Sequence, residues 1–502
     1  MDDHPPSATA ELVNAEGTRT ARFTLDKTER TAILANPLFR PTTSRNRLIQ
    51  DRYYDTAQFA LARQGMTLRL RKAGRTASLS LMRGDEVLQT ILSKPEPDLT
   101  ALGPEWLESL TAIIHSSPLK AIASAKITQN KYSFNDAAVT IETGVLNPEA
   151  QNQAFCELTV TALASTVPDI TLTLLNHCKL RLQPETPATR AMRLAGGPSP
   201  TPRKSAAWLA GEPNLDTAIT QIIHGCLAQF RANWSVFYTE NEIESVHQMR
   251  VAMRRLRSAL GLFNRILPTA EFLALRHEAK RIAGIMGEAR NWDVFIATLQ
   301  SGPMAVFADE IGFAALEAQC AAHREAGYKQ IDALLQDPDT TRFLFNAEAF
   351  LARHGWRNNL PAEALPRLVE PMRVLASNAL TRLHRKLRKH GKKLARLPVY
   401  ERHLVRIELK KLRYLADFFG GLFKPEGSVR RFGRVAADLQ EELGKLNDMA
   451  VANELATRLQ GGSMEAQRAL GIVLGWTAHS ALGEPRALMA AWKEFLETKL
   501  FT

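Results

Sequence analysis

Two stretches of this sequence carry the same residue types at the same spacing. "VHQMRVAMRRLRSALGLF" (246–263) and "RHLVRIELKKLRYLADFF" (402–419) superpose so that His247 meets His403, Arg250 meets Arg406, Arg254 meets Lys410 and Arg257 meets Arg413. At 100° per residue these four positions fall within an arc of roughly 80° on a helix. A second stripe, rotated by roughly 100°, is apolar in both copies. It holds Met249, Met253, Leu256, Leu260 and Phe263 in the first copy, and Val405, Leu409, Leu412, Ala416 and Phe419 in the second. Each helix therefore buries one side and carries a histidine and three cations along its shoulder. Arginine and lysine in such a row pair with phosphate or carboxylate oxygens through charge-assisted hydrogen bonds.

The segment before the second copy extends the cationic character. "TRLHRKLRKHGKKLARL" (381–397) is expected to form one helical stripe of Arg382, Arg385, Lys389, Lys392 and Arg396, backed by Leu380, Leu383, Leu387 and Leu394. Between 382 and 413 thirteen Lys or Arg stand against only Glu401 and Glu408, so the interleaved carboxylates that support a solvated helix are missing. One basic stripe alone reads most simply as a solvated face, and a lone histidine as a hydrogen-bonded structural residue. Duplication of the whole pattern favours a bound polyanion. No His, Cys or carboxylate sits at i+3 or i+4 from His247 or His403 on the same stripe in a way that makes a metal site. RNA-recognition, zinc-finger and helix-turn-helix signals are absent, and aromatics do not interleave with the cations, so no specific nucleic-acid partner is expected.

The elements that must position these residues divide near residue 200. The chain has 502 residues, 45% hydrophobic and 23% charged, with a formal net charge of +12. That is a globular composition with room for two or three domains and a preference for an anionic partner. Before 195 the pattern is β-rich. "TLRLRK" (67–72) and "SLSLM" (78–82) alternate around a turn at Ala73-Gly74-Arg75, and "VTIETG" (139–144) and "CELTVTAL" (156–163) are further strands. "AGGPSPTPRKSA" (195–206) reads as a linker. Beyond it the period is 3.6. The expected division is 1–194 as a β domain, 195–205 as linker, and 206–502 as a helical domain with repeats at about 206–360 and 361–502. The scattered Cys156, Cys178, Cys226 and Cys320 suggest a reducing compartment, the opening "MDDHPPSATAELVN" is no signal peptide, and no apolar run is long enough to span a membrane. A cytoplasmic location is expected, and the sequence leaves the oligomeric state open.

The H-x-x-R-x-x-x-[RK]-[RK]-L-R pattern, present twice, resembles the CHAD family, the conserved histidine α-helical domain. "GEARNWDV" (287–294) and "GKLNDMAV" (444–451) fit that resemblance, with Asn291 where the family has Asp. It implies two four-helix bundles related by pseudo-twofold symmetry. Between them a basic groove, lined by the two four-residue stripes, would bind inorganic polyphosphate; the 382–396 stripe is added from spacing alone. The resemblance also suggests association with polyphosphate granules.

The first half resembles the CYTH family, the triphosphate tunnel enzymes, at "YYDTAQFALARQGMTLRLRKAG" (53–74). This implies an α+β multidomain protein whose N-terminal part is an antiparallel β-tunnel with Arg69 and Arg71 pointing inward, a direction that strand alternation supports. The family's catalytic residues are largely replaced. Its E-x-E-x-K reads "TRTAR" (18–22), with Arg22 in the lysine position, and its later E-x-E reads "ELT" (157–159). Met82 stands at a further lysine, and Thr186-Pro187 at an S-K. Glu142 and Glu157 are the surviving acids. Metal-assisted triphosphate hydrolysis needs carboxylates to hold the ion. The expectation is therefore a polyphosphate-binding protein with an inactive tunnel that holds an anion on Arg69, Arg71 and Arg22, with no catalytic or metal-ligating residues and no cofactor. The alternative is a triphosphatase or polyphosphatase using Mg²⁺ or Mn²⁺.

Overall fold

The computed structural model describes residues 11–502, apart from 13–16, 37–38, 42–45, 84–85, 116, 135–136, 148–149, 151, 205–208, 241, 359, 460–462 and 483–484. The chain forms two compact units. The first comprises Met1–Thr201 with Leu335–Arg353, and the second Pro202–Leu334 with His354–Thr502.

The first unit is built on strands β1 (Glu11–Leu12), β2 (Thr18–Thr24), β3 (Arg40–Pro41), β4 (Arg47–Asp55), β5 (Met66–Ala73) and β6 (Thr76–Arg83). They are followed by β7 (Glu86–Leu92), β8 (Lys120–Phe134), β9 (Ala137–Leu146), β10 (Gln153–Leu163) and β11 (Arg181–Leu182). They form one antiparallel sheet in the order β1-β7-β6-β5-β4-β8-β9-β10-β2-β11, with β3 on β8. The expected hairpin is present: Ala73 pairs with Thr76 around Gly74, whose φ of +64° explains the glycine. Helices α1 (Lys27–Ala35), α2 (Ala60–Arg63), α3 (Pro104–Ile114), α4 (Val167–Leu174) and α5 (Pro187–Leu194) complete the segment before residue 200.

Alternation divides the sheet into two faces. Leu68, Leu70, Leu79 and Leu81 form one outer core with Leu61 and Leu110. Phe23, Val139, Ile141, Leu158 and Val160 form another. The inner face carries Arg69, Arg71, Asp51, Tyr53, Glu142, Glu157 and Arg22. Its middle is apolar: Ala123, Ala125, Ile127, Leu146 and Phe155 pack against Ala188, Ala191 and Met192 of α5. Thr186, at the position of the family's serine, caps that helix by accepting from the Thr189 backbone N–H.

The helices that follow are α6 (Leu215–Trp234), α7 (Glu242–Ile266), α8 (Ala270–Ser301), α9 (Pro303–Val306), α10 (Gly312–Leu335) and α11 (Pro338–Ala352). Then come α12 (Met372–His390), α13 (Val399–Phe419), α14 (Glu426–Arg458), α15 (Met464–Leu482) and α16 (Pro485–Glu497). All but α11 build the second unit. The sequence assigns α11 to the helical domain, yet it packs in the first unit. Phe345 is fully buried with its ring centroid 5.6 Å from that of Phe23, and Glu348 pairs with Arg19 at 3.0 Å. Phe345→Leu should therefore lower the stability of the sheet unit by about 1 kcal/mol, with hydrogen-exchange protection of β2 and β10 falling first. Protection lost instead in α6–α8 would contradict the assignment.

In the second unit α7 packs between α6 and α8, and α13 between α12 and α14. The two apolar stripes are buried as expected, from Met249 to Phe263 and from Val405 to Phe419. A further core joins α8 and α10 to α14 and α15 through Trp292, Phe295, Phe313, Leu455 and Val473. Among the described residues no helix is long and apolar enough to cross a membrane.

The expected stripe over 382–396 is cut short. Helix α12 ends at His390, and residues 391–396 form a 3₁₀ segment in which Lys393 has non-helical angles. Gly391 stands at the end of the helix, against Trp492 so closely that a Cβ would lie 2.3 Å from the ring. Lys392 and Arg396 thus leave the face that holds Arg382, Arg385 and Lys389.

Candidate functional site

A groove of about 1450 Å³ runs through the second unit. Both stripes line it: His247, Arg250, Arg254 and Arg257 from α7, and His403, Arg406, Lys410 and Arg413 from α13. None of Arg382, Arg385, Lys389, Lys392 and Arg396 does; these five are exposed. The repeat is also unequal, since His247 is half-buried and His403 is exposed.

The groove recruits cations that the repeat does not announce. Arg276, Lys280 and Arg290 come from α8, Arg265 from the end of α7, Lys411 from α13 and Lys445 from α14. The signal for the α8 group is its own helical spacing, 276, 280 and 290, with Gly284 and Gly287 in the gap. Glycine has a reason at two positions. A Cβ on Gly287 would lie 3.3 Å from Nε of Arg250, and one on Gly261 3.3 Å from Nε of Arg276. Each leaves room for the guanidinium of the facing helix. Asn291 lines the groove, whereas Asp293 is buried, accepting from Arg324 Nε at 2.9 Å and the Tyr328 hydroxyl at 3.0 Å. The side chains of 446–450, within the second family-like motif, lie outside the described residues.

Among the described residues thirteen Lys and Arg line the groove against two carboxylates, Glu288 and Asp417. Glu288 is already held by Arg458. No carboxylate among the described residues pairs with Arg250, Arg254 or Arg257. Burial and the like charges around them disfavour the protonated forms of Arg250 and Arg257 without removing their protons at neutral pH. Burial first, then Arg254, Arg290 and Arg406, bring the Arg250 guanidinium down to about 10, and burial with Arg276 and Arg254 lowers Arg257. Burial is also the main cause of a lowered His247 pKa; Arg290, Arg250 and Arg254 add to it and Glu244 opposes them. Burial and these cations thus favour the neutral imidazole of His247 in the free protein. An anion bound beside it would raise its pKa, so such binding would take up a proton and tighten as pH falls, by up to about tenfold per unit. Calorimetry in two buffers of different ionisation enthalpy should detect that uptake, and His247→Gln should remove it.

On the inner face of the sheet, Arg71 holds Asp51 with both Nε (2.8 Å) and Nη2 (2.7 Å). Arg22 donates from Nη1 to Glu157 at 2.9 Å and reaches Glu142 at 3.4 Å. Two of the three arginines expected to hold an anion therefore spend their charge on carboxylates of the protein. Strand alternation places Arg71 on this face but says nothing of its partner across the sheet. Among the described residues Arg69 makes one long contact, to Ser80 Oγ at 3.4 Å, and burial with the neighbouring Arg71 lowers its pKa. Met82 adds no cation to that face. Among the described residues no group of three or more His, Cys, Asp or Glu is arranged to hold a metal ion.

Family comparison matches this architecture part by part. The CYTH domain model matches residues 21–181 and the CHAD domain model residues 221–457. The chain carries a CYTH domain followed by a CHAD domain. The crystal structure of the CHAD domain from the plant Ricinus communis aligns at 27% identity with a TM-score of 0.52, covering 60% of this chain and 98% of that one. PptA from Streptomyces chartreusis aligns at 18% identity and TM-score 0.40, over 56% and 99% of the two chains. HpAC1 from Hippeastrum, a protein with a dominant triphosphatase activity, aligns at 12% and 0.26, over 36% and 97%. No curated protein sequence matches. The groove lies in the CHAD domain, and the ion-paired inner face in the CYTH domain.

Proposed function

We propose that the CHAD domain binds inorganic polyphosphate along its groove and that the CYTH domain does not hydrolyse it. The observation that carries this reading is the excess, among the described residues, of thirteen cations over two carboxylates in one groove built from both copies of the stripe. A flexible phosphate chain offers one charge per unit and no bases, so it suits a row of guanidinium and ammonium groups that lacks stacking aromatics. The five α12 and 391–396 cations, exposed beyond the groove, would attract the chain from a distance rather than grip it. A protein with this property would collect where polyphosphate accumulates in the cell. Loss of the family's carboxylates favours a non-hydrolytic CYTH domain, because metal-assisted attack on a triphosphate needs them.

The test is a competition titration on the full-length protein, with long-chain polyphosphate and duplex DNA at equal phosphate concentration. Polyphosphate should displace DNA. Equal competition would mean that the groove is only a basic surface. Tripolyphosphate incubated with the protein and Mg²⁺ or Mn²⁺ should release no phosphate; release that stops in Glu157→Gln would overturn the non-hydrolytic reading.

A further inference from the structure

The acids of the CYTH inner face have a use that the groove does not explain. Glu142 and Glu157 are paired residues on adjacent strands β9 and β10, and both are buried, Glu157 completely. They are the acids that the CYTH resemblance leaves available to a divalent cation. Mg²⁺ and Mn²⁺ take carboxylate oxygens directly into their shell, so those oxygens have to be open. Here all four are engaged. Oε1 of Glu157 accepts from Nη2 of Arg190, and Oε2 from Nη1 of Arg22 at 2.9 Å. Oε1 of Glu142 accepts from Nε2 of Gln129 at 2.8 Å, and Oε2 lies 3.4 Å from the same Arg22 Nη1. The third acid of this face, Asp51, is held on both oxygens by Arg71. The donor set does not fit a metal.

We propose that Arg22 occupies the cation's seat: its guanidinium bridges Glu142 and Glu157 as a divalent ion otherwise would. The charges support this. Two carboxylates face two guanidinium groups, Arg22 and Arg190, so the cluster is neutral as it stands. A divalent ion entering it would meet two fixed positive groups that cannot diffuse away, in a region where burial strengthens the repulsion. Position supports it as well. Arg22 lies opposite Thr159, the residue that stands where the family has the second carboxylate of its later pair, so a ligand is lost at the point where the guanidinium arrives. Arg190 comes from α5, the helix that packs across the inner face, and its ion pair with Glu157 ties that helix to β10. The CYTH domain is thus a fold that carries its own cation. This inference rests on the non-hydrolytic reading of that domain and is independent of polyphosphate binding in the groove.

The experiment is a Mn²⁺ titration of the full-length protein in the absence of phosphate, read by the electron paramagnetic resonance signal of free Mn²⁺ and by thermal melting. The wild type should take up no Mn²⁺ that depends on Glu157, and its melting temperature should not move. Arg22→Ala should bind Mn²⁺ stoichiometrically and melt at a higher temperature when the ion is present, because a ligand of the folded state stabilises it by mass action. Arg22→Ala combined with Glu157→Gln should lose both responses. Should Arg22→Ala fail to fold without metal, refolding in Mn²⁺ decides the matter: rescue supports the proposal, and no rescue overturns it. Wild-type uptake that disappears in Glu157→Gln would overturn it too, as would a folded Arg22→Ala that binds no ion. Polyphosphate affinity measured on the same wild-type sample separates the two readings, since its absence would strike the groove and leave Arg22 untouched.

Discussion

Replacing His247, Arg250, Arg254 and Arg257 together by glutamine is expected to weaken polyphosphate binding by about a hundred- to a thousandfold. The estimate takes roughly 1–1.5 kcal/mol for each of three lost charge-assisted contacts in a half-open groove, below the range for fully buried ones, with each 1.4 kcal/mol worth about tenfold. The ligand-free protein should not melt earlier. A guanidinium whose pKa falls from 12.5 to about 10 on folding is one whose charge the folded state resists. The sign follows from linkage: a cation with a depressed folded pKa costs stability at every pH where it stays charged. Removing Arg250 relieves first the desolvation of its buried charge and second the repulsion from Arg254, Arg290 and Arg406, together worth on the order of 3 kcal/mol before the lost packing of its stem against Gly287 is set against it. Stability and affinity should therefore move independently, which a merely structural stripe would not allow. Unchanged affinity would move the ligand elsewhere, and a sharply lower melting temperature would make the stripe structural.

What the sequence makes legible is what local periodicity controls. Alternation in 67–72 and 78–82 assigns Arg69 and Arg71 to one face and Leu68 and Leu70 to the other, and the structure has them so. Helical spacing separates the stripe of Arg250 from that of Met253. What it conceals depends on partners distant along the chain. The bidentate grip of Arg71 on Asp51 and the bridge of Arg22 depend on which strands are neighbours, and no spacing within β2 or β5 carries that information. The helix around Phe345 looks like any amphipathic helix, because periodicity says that a face is buried without saying in which core. The spacing of cations alone carries the stripe through the end of α12, because that spacing holds no information on where the helix stops. Arg276 and Lys280 of α8 belong to no repeat, so repetition does not mark them.

Affinity for long-chain polyphosphate is expected to fall about a thousandfold between roughly 50 and 200 mM monovalent salt, because each phosphate that is neutralised releases a condensed counterion. The stripe copies alone supply six formal cations to the groove, and Arg290 beside them makes a seventh. With a release of about 0.7 per contact, as for single strands, some seven contacts give a slope near −5 in log affinity against log salt, and a fourfold change in salt then gives about three decades. A slope near −1 would mean that only one or two cations touch the ligand, and the groove would no longer explain the binding. The two experiments also constrain each other. The quadruple variant loses three of the seven contacts, so its slope should be shallower by about two as well as its affinity lower. A variant that lost affinity at unchanged slope would have lost shape or packing rather than phosphate contacts. The slope therefore distinguishes cations that grip the chain from those, such as Arg382, Arg385 and Lys389, that only raise the surface potential around it: removing the latter should slow association while leaving the slope nearly intact.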